Sequence, residues 1–151
     1  MSTITVSITG DKELSAKMVK FAGSNLKLHR SMGAIGLYLT KFFSGEVFAS
    51  RGQVYGRPWQ ALNDRYAAWK ARKFPGRPPL IRSGLMNRSF KHKSTSLTTS
   101  LWNEAEYFDA HNEGREVPQR VMMRIDQQRE LRIVKYVTSD LTTQMEKAGL
   151  L

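Results

Sequence analysis

The sequence contains no cysteine among its 151 residues. Disulfide bonds, thiolate metal sites and a thiol nucleophile are therefore excluded. No apolar run approaches the roughly 20 residues that a membrane helix needs. The first residues also lack the basic stretch and apolar run of a signal peptide. We expect a protein that folds in a reducing cytoplasm and has no membrane partner.

Sequence motifs of catalysis are missing as well. The chain has no P-loop, no nucleophile elbow and no His-Glu-x-x-His zinc motif. One acidic cluster surrounds a histidine and consists of Glu104, Glu106, Asp109, His111 and Glu113. Such a cluster is more often the solvated face of a short helix than an acid–base or metal site. We expect no enzymatic activity and no cofactor.

Acidic residues are scarce in the middle of the chain. The segment from Arg51 to Lys93 contains eleven basic residues and a single acidic residue, Asp64. Its net charge is +10, compared with +11 for the whole chain. Such a concentration favours contact with phosphates or with an acidic partner protein. The alternative is a solvated loop. The candidate contact residues are Arg51, Arg57, Arg65, Lys70, Arg72, Lys73, Arg77 and Arg82.

A helical apolar pattern extends over residues 11–43. The spacing of four and three residues predicts one long helix with a buried seam, made of Leu14, Met18, Phe21, Asn25, Leu28, Met32, Ile35, Leu39 and Phe42. Three glycines lie inside this pattern, at positions 23, 33 and 36. They indicate either a kink near Gly33 or close packing of the helix backbone against a neighbour.

Turn residues and period-two patterns divide the rest of the chain. We predict a strand over residues 3–8, a loop over 44–60, a short helix over 61–73 and an irregular proline-rich stretch over 74–79. The basic loop region at about 44–79 is thus an irregular arm. We expect its residues 51–79 to be mobile in the free subunit and ordered in the assembly. Trp59, Tyr66 and Trp69 are spaced for core packing.

The second half of the chain predicts five further elements. They are a short helix capped by Ser83, a β-hairpin over 89–101, a helix over 104–112 ended by Gly114, a strand over 117–125 and a final helix capped by Asp126. The predicted buried face of that last helix holds Leu131, Val134, Thr138, Leu141, Met145 and Ala148. The expected fold is a single α+β domain over 1–151, with a long N-terminal helix and a C-terminal helix on a small, mainly antiparallel sheet.

Five short motifs follow one another between about residues 55 and 124. They are Trp-x-x-Leu, a downstream Lys, Leu-x-x-Ser-Gly with a following Ser, a Tyr-to-Gly segment, and Pro-x-Arg before an apolar stretch. In this order they resemble the phage virion morphogenesis, or tail completion, family. The residues that carry the resemblance are Trp59, Leu62, Lys70, Leu80, Ser83, Gly84, Leu85, Tyr107, Gly114, Pro118 and Arg120.

The resemblance implies a structural protein of the virion, at the head-proximal end of a phage tail or in the neck. Members form rings, often hexameric, that stop tube growth and join the tail to the head. The implied partners are further copies of the chain, the tail tube or sheath protein, and a neck or connector protein. DNA in the lumen is a second choice of partner for the basic arm. The chain would be assembled in the cytoplasm of the bacterial host.

Overall fold

A computed structural model describes residues 1–7, 27–147 and 149. The chain divides into two compact units. The first unit comprises Met1–Ile4, Thr40–Lys91 and Trp102–Arg124. The second unit comprises Thr5–Leu39, His92–Leu101 and Ile125–Leu151. The single domain expected over 1–151 stays a prediction.

The described residues form an α+β structure, as predicted. A small antiparallel sheet has the strand order β1-β3-β2. A π-helical turn at Phe42–Glu46 and a 3-10 turn at Gln53–Tyr55 accompany the regular elements. Those elements are β1 Thr3–Ser7, α1 His29–Lys41, α2 Val47–Ala49, α3 Asp64–Lys73, α4 Leu85–Arg88, β2 Phe90–Ser94, β3 Thr98–Asn103, α5 Phe108–Glu113 and α6 Gln127–Lys147. Among these described helices, none combines the length and the apolar character that crossing a bilayer requires.

Helix α1 starts much later than the apolar pattern predicts. Residues 11–26 of the expected long helix lie outside the described residues, and residues 27 and 28 are not helical. The Leu28 amide donates a hydrogen bond to Ser96 O at 3.1 Å. The Ser31 amide donates to the Asp140 carboxylate at 3.2 Å. These bonds satisfy donors that a helix running through Leu28 would use internally, so the helix begins at His29.

The apolar seam of α1 is buried as predicted. Leu28, Met32, Ile35 and Leu39 are each fully buried in the second unit. The helix runs through Gly33 without a break. A Cβ added at Gly36 would lie 2.6 Å from His92 Cδ2 and 2.8 Å from Thr99 Oγ1. Of the two explanations for the glycines, close packing therefore applies at Gly36, and the surface it meets belongs to the chain's own sheet.

Helix α6 does not bury the face that the sequence predicts. Its start is as expected, because the Asp126 carboxylate accepts a hydrogen bond from the Arg129 amide at 2.9 Å. Leu131 is 63% exposed and Val134 is 55% exposed, however, and Thr138 is exposed too. Leu141 and Met145 are half-buried, and Ala148 lies outside the described residues. Polar and aromatic contacts join α6 to α1. Tyr38 and Tyr136 lie 5.9 Å apart between ring centroids, and both rings contact the Arg132 guanidinium.

Residues 44–60 are more regular than the predicted loop. The π-helical turn and α2 continue directly from α1. Buried side chains outweigh the helix-breaking tendency of Gly45, since tertiary packing supplies most helical stability; they are Phe42, Phe43, Val47 and Phe48. Gly52 and Gly56 then adopt φ angles of +80° and +89° and end the helical stretch. The predicted irregular arm is therefore confined to shorter stretches on either side of α3.

The strand predicted over 117–125 does not form. Its amides bond to a helix end and a side chain instead of a neighbouring strand. Arg120 N donates to His111 O at 2.8 Å, and Met122 N and Met123 N donate to Asn112 Oδ1 at 2.9 and 3.1 Å. A single asparagine thus replaces the strand partner that the apolar pattern implies.

The other predicted elements of the second half form with small shifts. The hairpin consists of β2 and β3, and α5 covers only the second part of the helix predicted over 104–112. Gly114 ends α5 with a φ of +76°. A Cβ there would lie 2.8 Å from Gln119 Cβ, so both the backbone angle and the space require glycine.

Candidate binding site

Helix α3 places Lys70 in the interior of the first unit. The Asn63 side chain caps the helix by accepting a hydrogen bond from the Tyr66 amide at 2.8 Å. Lys70 lies two turns further along and is only 3% exposed. Its Nζ donates to Pro78 O at 2.5 Å. Lys70 is therefore not one of the exposed contact residues that the charge pattern predicts.

Arg120 is a second buried cation of the first unit. It is 4% exposed. Its Nε donates to Gln60 O at 3.0 Å and its Nη2 donates to Ala61 O at 3.3 Å. The guanidinium thus joins the stretch after Pro118 to the segment that leads into α3.

Trp59 fixes the start of the same segment. Its indole Nε1 donates to Val121 O at 2.9 Å. Its ring packs edge-on against Phe48, with 5.3 Å between ring centroids. A Cβ added at Gly52 would lie 2.4 Å from Trp59 Cδ1, so a glycine is needed beneath the ring. The core role predicted for Trp59 is confirmed.

The Ser83–Gly84 pair lies at the start of α4. Gly84 has a φ of +82°. An added Cβ would meet its nearest atom, Asn87 Oδ1, at an ordinary distance of 3.4 Å. A side chain at this position would therefore meet no clash. The backbone angle, which L-residues rarely adopt, is what favours glycine here.

Gly84→Ala is expected to lower the free energy of unfolding by about 1–2 kcal/mol, because left-handed backbone is costly for a residue with a Cβ. Gly33→Ala is the matched control, since Gly33 lies inside α1 with nothing within 4 Å of an added Cβ. That change should stabilise by about 0.5–1 kcal/mol. Denaturant unfolding measures both variants. The same sign of change in both would contradict the backbone explanation.

A cavity of about 610 Å³ lies within the first unit. Its walls come from the segment before α3, from α3, from the start of α4 and from both sides of the loop that follows α5. Nine of the eleven motif residues line it, although they span almost sixty positions of sequence: Leu62, Lys70, Leu80, Ser83, Gly84, Leu85, Tyr107, Pro118 and Arg120. The remaining two, Trp59 and Gly114, support the segments that carry the wall.

The cavity is electropositive. Lys70, Arg82, Arg120 and His111 line it, and no aspartate or glutamate of the described residues does. Burial, followed by the charges of Arg120 and Arg82, lowers the pKa of the Lys70 ammonium from its usual 10.5. Burial also lowers the pKa of Arg120. Among the described residues, no carboxylate oxygen lies within 4.0 Å of either cation.

Tyr66 and His111 are cavity residues that sequence reasoning assigned elsewhere. Tyr66 is 39% exposed and stacks on Trp69, with 5.5 Å between ring centroids. The core position predicted for Tyr66 and Trp69 is therefore wrong. The spacing of Tyr66 four residues before Lys70 places both on one helix face, and that relation is visible in the sequence.

His111 is expected to titrate below the usual histidine value. Burial and the charge of Arg120 lower its pKa from 6.5. Because the unfolded chain keeps the higher pKa, it binds more protons as the pH falls. This contribution to stability is complete above pH 6.5 and is lost as the pH falls through the folded pKa. An NMR titration should give a His111 midpoint below 6.5, and His111→Gln should reduce the loss of stability between neutral and acidic pH. A midpoint at or above 6.5 would refute this.

The other basic residues of the middle segment remain at the surface. Ten of the eleven between Arg51 and Lys93 are exposed, with Lys70 the exception. The exposed contact candidates are Arg51, Arg57, Arg65, Arg72, Lys73, Arg77 and Arg82. Arg82 belongs both to this surface and to the cavity wall, and its guanidinium contacts the Phe74 ring at 5.9 Å.

Two acids of the cluster around His111 form ion pairs. Asp109 and Glu113 both lie near Arg115, whose Nε is 3.0 Å from Glu113 Oε2. In the part of the chain that the structure describes, no three His, Asp or Glu side chains are grouped to hold a metal ion. The cavity is thus the feature that gathers the most functional candidates.

Comparisons with protein-family models, curated proteins and solved structures find no match for this chain. The resemblance to the tail completion family rests on the motif residues alone.

Proposed function

We propose that this chain is a structural virion protein of a tailed bacteriophage, acting as a tail terminator, completion or head–tail joining protein. It forms a ring, a hexamer by the family resemblance, at the head-proximal end of the tail. Its partners are neighbouring copies, the tail tube or sheath protein, and a neck or connector protein. The exposed basic surface contacts acidic protein, with DNA in the lumen as second choice.

The observation that carries this proposal is the convergence of the motif residues. Nine residues chosen only for their order in the sequence line a single cavity. If the motifs matched the family only by chance, their residues would not be expected to lie close together in the structure. Their convergence supports the motifs as parts of one site and so supports the family resemblance.

Helix α6 supports a role in self-assembly. Leu131 and Val134 are spaced by three residues and are mostly exposed, so they lie on one helix face. Arg129 is the one side chain of this helix that is buried. Contact with a neighbouring subunit would remove the exposed apolar side chains from water, which favours association.

Mass measurement in solution tests the proposal. Purified protein, alone or mixed with isolated tail tubes, should give a ring with a whole-number multiple of the chain mass. Leu131→Asp is expected to weaken this assembly, and Leu97→Asp serves as a control because Leu97 is a similarly exposed leucine outside α6. A protein that stays monomeric under both conditions would speak against the ring.

A nucleic-acid-binding module is the second candidate. The ten exposed basic residues between Arg51 and Lys93 favour it, because phosphate contacts use accessible cations. This candidate predicts that the monomer shifts duplex DNA with an affinity that falls steeply with salt. Weak binding by the monomer together with ring formation would favour the structural role.

A further inference from the structure

The cavity of the first unit contains two cations that have no counter-ion in the part of the chain that the structure describes. Lys70 and Arg120 are 3% and 4% exposed, and their described partners are the backbone carbonyls of Gln60, Ala61 and Pro78. Carbonyl dipoles compensate only part of the cost of removing a positive charge from water. A bound anion would supply the missing opposite charge.

Other polar groups remain available in the same wall. A lysine ammonium has three N–H donors and an arginine guanidinium has five. Lys70 uses one toward Pro78, and Arg120 uses two toward Gln60 and Ala61. His111 Nδ1 is buried and has no hydrogen-bond partner among the described residues. The cavity thus combines positive charge with unused donors, as an anion site requires.

The apolar part of the wall narrows the class of anion. Leu62, Leu80, Leu85 and Val117 line the cavity beside the cations. Such a mixed wall suits a carboxylate on a hydrocarbon stem with apolar neighbours. A nucleic-acid phosphate is flanked by sugars and further phosphates, and the exposed basic surface suits it better than two nearly buried cations do.

We propose that this cavity binds an aspartate or glutamate side chain from an acidic segment of a partner protein, with Lys70, Arg82 and Arg120 as the groups that recognise the carboxylate. Insertion of one acidic side chain would fix the register of the partner on this subunit. The proposal rests on the proposed function only in naming a protein as the source of the carboxylate.

Two probes test separately whether the cavity binds a carboxylate and whether that carboxylate comes from a protein. The first is glutarate, a dicarboxylate whose two carboxylates are joined by a short apolar stem. The second is the peptide acetyl-Leu-Glu-Leu-amide, compared with its glutamine counterpart. Titrations followed by NMR should give a dissociation constant of about 1–10 mM for glutarate and about tenfold tighter binding of the glutamate peptide. The glutamine peptide should bind at least about tenfold more weakly than the glutamate peptide.

Arg82→Gln is the test variant, because Arg82 is exposed and its loss should leave the fold intact. It should weaken binding of the glutamate peptide at least about fivefold. Arg77→Gln removes an equally exposed charge that does not line the cavity, and it should change binding less than about twofold.

Four outcomes would overturn the proposal. The first is that neither probe binds at about 20 mM, and the second is that the glutamate and glutamine peptides bind equally well. The third is that both arginine variants weaken binding to the same extent. The fourth is that inorganic phosphate displaces the peptide at a lower concentration than glutarate does. Glutarate binding without a gain for the peptide would overturn the protein source. Because the purified subunit is tested, these results are independent of whether it assembles into rings.

Discussion

Leu28→Ala is expected to lower the free energy of unfolding by about 2–5 kcal/mol. Leu28 is fully buried and precedes the first turn of α1. Truncating it to alanine removes three buried carbon atoms and leaves a cavity that a packed core fills only in part. Leu39→Ala, at the other end of the seam and equally buried, should cost a similar amount.

The matched control for the seam lies on the same helix. Leu37 is 50% exposed, so Leu37→Ala should change stability by less than about 1 kcal/mol. Denaturant unfolding measures the free energy of unfolding of all three variants, provided that its dependence on denaturant concentration is the same for each. A cost below 1 kcal/mol for Leu28→Ala, or equal costs for Leu28→Ala and Leu37→Ala, would show that the seam is not the core of the second unit.

Reversing Arg72, Lys73 and Arg77 to glutamate together is expected to abolish head–tail joining or ring assembly. All three side chains are exposed at the end of α3 and in the loop after it. The change turns a positive surface negative, so an acidic partner would be repelled instead of attracted. Folding should persist, since exposed charges usually change stability by less than about 0.5 kcal/mol each.

Infectious particle yield measures this effect, and circular dichroism checks that the monomer is folded. A control triple variant reverses Lys27, Arg30 and Lys41, which are also exposed but lie outside the basic segment and outside α6. It has the same net charge and should still assemble. Hydrogen exchange should show greater protection of residues 51–79 in the assembly than in the free subunit. Infectious particles built from the first variant, or equal protection in both states, would refute the prediction.

Periodic patterns predicted the parts of the fold that local packing decides. The seam of α1 is buried because a three-four repeat of apolar residues has one stable arrangement, with that face covered. The same reasoning is wrong for the first half of α6, where Leu131 and Val134 follow a similar repeat but stay exposed in the single chain. Such a repeat indicates that one helix face is buried. It does not tell whether the same chain or another molecule buries that face.

The strand predicted over 117–125 is wrong for a different reason. Its apolar residues, such as Met122, are buried as a strand would bury them. Their amides bond to Asn112, however, and periodicity carries no information on where a backbone amide bonds. The cavity is also beyond pattern reasoning, since it depends on contacts between segments some sixty residues apart, such as Arg120 with Gln60.

The start of α1 is secured by residues that the ribosome adds much later. Asp140, which accepts from the Ser31 amide, follows it by 109 positions, and Gln144, which donates to Lys27 O, follows by 117. At synthesis rates of about 5–20 residues per second, this end of α1 waits roughly 5–20 s for Asp140. During that interval the start of α1 lacks two of its hydrogen-bond partners, although the sheet residues that pack against Gly36 are already synthesised.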